Sequence, residues 1–293
     1  MQHGQLNMFA AAGLRREDPP PSAQPDPHPP PATGMTDAAL IAAIPDATLA
    51  TCRELAAEAT GRKLAAAVPA LEALCRRFRG FGLYHAIPEQ TASLQALATI
   101  GGADAVAAVR RLIVGGTVSG PGLGEAVRAA ATLHCILPEP TAAALLLHAD
   151  PGIRAQACGC APRTTQVVTL LATLLEDLNP GVATAAAKAL GRFGRAEARP
   201  WLARLLRQSP DADLIEAVTL VADEECTVLL GRIARQHPDL RDAALTALET
   251  IALPRAAAIL ATLVSRGAPP ADVPSDATRS RPVNSLPPAP AER

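Results

Sequence analysis

"AAAKALGRFGRAEARPWLARLL" (residues 185–206) decides the fold. Its first half sets apolar side chains at helical spacing and stops at Gly194. After a short break, "RAEARPWLARLLRQ" (195–208) runs into a second apolar helix. Two such helices with so short a link between them make a helical hairpin. "CTVLLGRIARQ" (226–236) reads as the second helix of another copy.

Working outward, the chain repeats this unit. Pro121, Pro151, Pro180, Pro210 and Pro238 are separated by 30, 29, 30 and 28 residues, and each opens an Ala/Leu-rich segment. Proline suits the first turn of a helix, where its missing N–H has no partner to lose. Counting each proline as position 1, position 3 is Leu123, Ile153, Val182, Ala212 and Leu240. Position 11 is Ala131, Ala161, Leu190, Leu220 and Leu248. Eight residues span a little over two turns, so both positions are expected on one buried face in every copy.

The residues also carry a family resemblance. "ASLQALATIGGADAVAAVRRLI" (92–113) and residues 185–206 resemble the short HEAT-like repeat, with an Ala-Leu-x-x-(Ile/Phe)-Gly sequence followed by an Ala-x-x-x-Leu helix. "DPGIR" (150–154) and "HPDLRDAALTAL" (237–248) are similar to its entry, an Asp/Asn-Pro turn followed by an apolar residue and Arg. The fold class expected is all-α. The resemblance implies a right-handed alpha-solenoid of HEAT-like hairpins, one helix layer convex and the other lining a groove where function sits. About six hairpins fit between residues 89 and 266, with a divergent cap over 36–87. HEAT-like arrays serve as adaptors, nucleic-acid-binding surfaces, alkylpurine DNA glycosylases and phycobilin lyases, so the resemblance alone does not choose among them.

Composition agrees with helices packed on small residues. Aromatics are 2% of 293 residues and hydrophobic residues 49%, leaving Leu, Ala, Val and Ile to fill the interior. The domain division expected is 1–34, a Pro-rich disordered tail; 35–267, the repeat domain; and 268–293, a second disordered tail. The longest apolar runs, such as "TAAALLLHA" (141–149), are too short to span a bilayer, and no signal peptide opens the chain. The expected location is the cytoplasm, without disulfides and without a membrane partner.

Net charge is −1 overall, and residues 35–267 hold 22 basic and 22 acidic side chains, so a nucleic-acid surface has to be local. The candidate basic patch is Arg192, Arg195, Arg199, Arg204 and Arg207, joined by Arg163, Arg232 and Arg235. Glu176, Asp177, Asp223, Glu224 and Glu225 lie close in sequence, so a salt-bridged, solvated face is the first reading and phosphate tracking the second. DNA is accordingly the weaker partner.

Other chemical features resolve into structural roles. His134, Cys135, His148, Cys158 and Cys160 gather in adjacent repeats, but Cys-x-Cys on a helix directs its sulfurs to different faces and matches no zinc finger or ribbon. No metal and no cofactor is expected. "GGTVSGPGLGEA" (115–126) follows a helix and has no P-loop lysine, so it is an inter-repeat loop. Trp201 and Tyr84 are the only large polar aromatics, too few for a glycosylase groove. No catalytic residue is assigned.

One short stretch stands apart. Gln5, Leu6, Asn7, Met8 and Phe9 resemble the pentapeptide by which bacterial replication and repair proteins hold the sliding clamp. The resemblance implies that Gln5 offers an amide to the rim while Leu6, Met8 and Phe9 enter an apolar cleft. Chance, or translation starting at Met35, is the competing reading. The function expected is a non-enzymatic HEAT-like scaffold for protein–protein interaction, hooked to the clamp. The alternatives are a HEAT-type lyase or glycosylase and a direct DNA-binding solenoid.

Overall fold

The computed structural model describes residues 32–267. The clamp-like segment at 5–9 and the tail at 268–293 lie outside the described residues. Among the described residues there are helices and no strands. The α-helices are α1 (Asp37–Ala43), α2 (Cys52–Gly61), α3 (Val68–Arg77), α4 (Pro88–Ile100), α5 (Gly102–Val114), α6 (Pro121–Thr132), α7 (Glu139–Leu146) and α8 (Pro151–Cys158). They continue as α9 (Thr165–Thr173), α10 (Pro180–Arg192), α11 (Arg199–Gln208), α12 (Ala212–Thr219), α13 (Glu224–Gln236), α14 (Arg241–Thr250) and α15 (Pro254–Gly267).

From α4 onward these form six hairpins, preceded by the α1–α3 cap. First helices pack in chain order, α2 through α14, as one layer; α3 on α5, α7 on α9 and α11 on α13 on α15 form the other. The result is an all-helical stack of HEAT-like repeats.

Local chemistry explains where the helices start and stop. Asp150 and Asn179 cap α8 and α10, each accepting from the N–H two residues on at 2.7 and 2.9 Å, with Pro151 and Pro180 as first helical residues. At the end of α10, Gly194 takes φ +70°, its N–H donating to the Gly191 carbonyl at 2.8 Å and that of Arg195 to Leu190 at 2.9 Å. That is a Schellman turn, and it explains the glycine that follows the Ala-Leu-x-x-Phe motif. Gly101, at φ +72°, ends α4 at the corresponding motif position.

Charge pairs tie one repeat to the next. Arg154 on α8 donates two bonds of 2.9 Å to Asp177 ahead of α10, and Lys188 on α10 reaches the α12 cap Asp211 at 2.9 Å. The Arg154 guanidinium, helped by the Asn179 N–H, holds the Asp177 carboxyl below the usual carboxylate range. Close packing needs a small residue inside α10: a side chain at Gly191 would run into the Ala217 carbonyl and lie 2.8 Å from Leu202 Cδ1.

Two expectations need correction. The folded part begins before residue 35: Ala32 is buried, its N–H donates to Glu54 at 2.9 Å, and Arg62 binds the Met35 carbonyl and Asp37. The position 3 and 11 stripe holds at Ile153, Ala161, Val182, Leu190 and Leu248, while Leu123, Ala131 and Leu240 are half-buried. In the copy opened by Pro210 it fails, for Ala212 is exposed and Leu220 is 63% exposed. There the cap is Asp211, which accepts from Leu214 N–H at 2.7 Å, so the proline sits outside the helix rather than as its first residue. The register slips by two, and buried Leu214 takes the place that Ile153 and Val182 hold in their helices.

Candidate functional site

The five arginines of the candidate patch do not share one element. Arg192 ends α10, Arg195 lies in the link behind Gly194, Arg199 opens α11, and Arg204 and Arg207 follow on α11. Four meet carboxylates. Arg192 lies 3.8 Å from Asp213 and 3.9 Å from Glu216, Arg195 pairs with Glu197 at 2.7 Å, and Arg207 pairs with Glu225. Arg199 donates to the Val221 carbonyl at 2.7 Å and lies 3.6 Å from Asp223. Arg204 is exposed on α11, and Arg163, Arg232 and Arg235 are exposed on the neighbouring repeats.

Beside Arg192 the slipped register of α12 opens a cleft. A cavity of about 490 Å³ lies between α12 and α14, lined by Ala212, Ile215, Leu220, Ala243 and Ala247, with Arg192 and Glu216 among the lining residues. Thr219, Thr246 and Thr250 line it too, but each hydroxyl donates at 2.9 Å to the carbonyl four residues back. Their donors are committed within their own helices, so what the cleft offers is chiefly aliphatic. Its chemistry suits an apolar side chain flanked by a charge, and sequence periodicity concealed it by assigning Leu220 to the core. A second cavity, about 730 Å³, lies between α2 and α4 and is lined by Ala56, Ala92, Ala96, Thr60, Thr99 and Gln95 among others.

The cysteines and histidines do not converge on a centre. All six cysteines are buried and free. Burial pushes the thiols of Cys75, Cys158 and Cys160 up to about 12 and that of Cys226 to about 11. Cys135 Sγ faces the Val106 carbonyl at 3.6 Å and Cys158 Sγ the Arg154 carbonyl at 3.4 Å. His134 is exposed at φ +50°, and His148 Nδ1 accepts from the Asp150 N–H at 3.0 Å. Among the described residues no three such side chains are placed to hold a metal ion. Of the stretch 115–126 expected as an inter-repeat loop, residues 115–120 form the link between α5 and α6, while 121–126 already belong to the first turns of α6, opened by Pro121. Trp201 is half-buried against the core, whereas Tyr84 is exposed in the link between α3 and α4 with Phe81 and Leu83, a grouping that sequence reasoning passed over.

Comparison with known proteins agrees with this architecture. The HEAT-repeat family pattern matches residues 138–222. The complex of CpcE and CpcF of phycocyanin lyase from Nostoc sp. PCC7120 is similar in structure, with a TM-score of 0.52 at 14% identity over 87% of this chain and 99% of that one. The Escherichia coli protein YibA aligns with a TM-score of 0.40 at 13% identity over 75% of this chain and 93% of its own. At 14% identity the likeness to the CpcE–CpcF structure is one of fold alone. No curated protein matches the sequence. Among the described residues no helix is long and apolar enough to cross a membrane.

Proposed function

We propose that the chain is a non-catalytic HEAT-repeat scaffold that binds a protein partner through the α12–α14 cleft, with residues 5–9 as a hook for the bacterial sliding clamp. The observation that carries the first part is Leu220, a large aliphatic side chain left 63% exposed at the mouth of an aliphatic cavity. Exposed apolar surface of that kind marks an interaction site. The thiols that a covalent lyase mechanism would use are buried and held protonated, which favours binding over chemistry. Glu216 is engaged with Arg192 rather than facing the cleft alone.

A photo-crosslinking residue at position 220, introduced in the host cell, tests the cleft. The expected result is a discrete protein adduct that disappears when the exposed lining residues Ala212 and Thr246 are replaced by Glu; labelling of small molecules alone would overturn the scaffold reading. The hook is tested separately. A peptide of residues 1–14 should bind the host's isolated clamp with about micromolar affinity, because a few buried side chains have to offset the ordering of the chain. Met8→Ala with Phe9→Ala should abolish that binding, and no heat on calorimetry with the unaltered peptide would remove the hook.

A further inference from the structure

The chain has four Phe, one Tyr and one Trp, and three of these six fall at Phe78, Phe81 and Tyr84, in the link between α3 and α4. Phe78 is half-buried, but Phe81, Leu83 and Tyr84 are 62, 63 and 84% exposed. Large apolar side chains in a loose loop would fold inward. These are held out by the backbone beneath them. The buried Gln90 side chain donates to the carbonyls of Cys75, Phe78 and Thr117 at 3.1–3.4 Å, joining this link to the one between α5 and α6. Arg79 donates to the Gly115 carbonyl at 3.2 Å and Ser119 to that of Phe81 at 3.3 Å. Gly120, at φ +55°, lies so close that any side chain there would strike the carbonyls of Gly82 and Leu83. The display is therefore rigid, and a partner that docks on it pays little for ordering.

Its charge is predominantly positive. Arg76 and Arg77 end α3, Arg79 follows, and Arg110 and Arg111 lie in the last turns of α5, all exposed. Between residues 73 and 88 there is no Asp or Glu. Glu72 answers Arg76 and Arg111 at 2.7 and 2.6 Å. Arg77 and Arg79 are pinned by the neutral carbonyls of Pro45, Ala47 and Gly115, which fix the guanidinium groups without cancelling them. Arginine and aromatics with Lys and Glu scarce is the composition of a protein interface, and the aliphatic Leu83 and half-exposed Val114 add surface that suits apolar peptide side chains rather than stacked bases. A second copy of the chain would bring like charges together.

We infer that Phe81, Leu83 and Tyr84, with Arg79 in the same link, form a second docking surface, which binds an acidic protein segment carrying aromatic or aliphatic side chains. This rests on the scaffold reading and names the partner chemistry for a face remote in sequence from the α12–α14 cleft. The test is selection of a random twelve-residue phage-displayed peptide library on the full chain. Selected peptides should be rich in Asp and Glu together with large apolar residues, and their binding should weaken as salt rises. The variant Phe81→Ser with Tyr84→Ser should bind them at least tenfold more weakly, as should Arg79→Glu, whose exposed position in the same link spares the core; Leu220→Asp should leave binding unchanged. Circular dichroism melts confirm that each variant is folded. Peptides bound equally by wild type and both loop variants would overturn this surface and leave the scaffold reading standing. Displacement of the peptides by a twenty-residue thymidine oligonucleotide, or a dimer abolished by Phe81→Ser with Tyr84→Ser, would also overturn it. Selection of no peptide by any variant would count against both.

Discussion

Glu72 shows how a single buried carboxylate holds the cap to the first repeat. It is only 8% exposed, yet it accepts from Arg76 one turn away and from Arg111 on α5, so α3 and α5 are joined through one side chain. Those bonds, the Arg111 one foremost, hold its carboxyl below the usual carboxylate range against the opposing effect of burial. A carboxyl depressed on folding stabilises fully above its unfolded value, near about 4.3, and loses that contribution as pH falls through the lower folded value. Glu72→Gln should therefore cost about 1.5–3 kcal/mol at pH 7, the range for hydrogen bonds to charged groups. Urea melts at pH 7 and pH 3 check it: the gap between variant and wild type should narrow at the lower pH. At the same scale, thiols buried and raised to 11 or 12 are poor nucleophiles. A thiol titration at pH 8 should count almost none of the six cysteines in the native protein and all six in guanidinium. Rapid native labelling of even one would reopen an enzymatic reading.

At the scale of elements, the slipped α12 separates what the sequence tells from what it hides. Caps and stops were legible because they are local: Asp150 and Asn179 before their prolines, and Gly101 and Gly194 behind Ala-Leu motifs, do what their chemistry requires wherever the helices pack. Leu220 was not legible, because the same Pro-x-apolar spacing serves two registers and only the choice of Asp211 as cap decides between them. Asp211→Ala should thus cost about 0.5–2 kcal/mol, with the lost Lys188 pair adding to it, whereas Pro210→Ala should change stability much less, since that ring lies outside the helix. Thermal melts of the two variants separate the cases; equal losses would return Pro210 to the first helical turn. The loop at 78–87 escaped for a different reason. It falls between periodic segments, where no repeat position constrains it, and the signal that would have found it was the crowding of three of six aromatics into seven residues.

Apart from the arginine face beside the α3–α4 link, charge cancels over the whole molecule and within the α10–α11 patch. The repeat domain balances acid and base, and within the α10–α11 patch the partners of Arg192, Arg195, Arg199 and Arg207 stand within 4 Å. A guanidinium already facing a carboxylate has few condensed counterions to displace from DNA on its own account, because the carboxylate repels the same phosphates. Arg204 remains exposed on α11, and Arg163, Arg232 and Arg235 on the neighbouring repeats; at a salt slope of about one each they fall short of the roughly six to ten phosphate contacts of a tight duplex binder. Fluorescence anisotropy with a twenty-base-pair duplex should therefore show weak binding even at low salt, indistinguishable between wild type and Arg199→Glu with Arg204→Glu. A steep salt dependence that the double variant abolishes would place phosphate tracking on this face, and with it a nucleic-acid role for the stack.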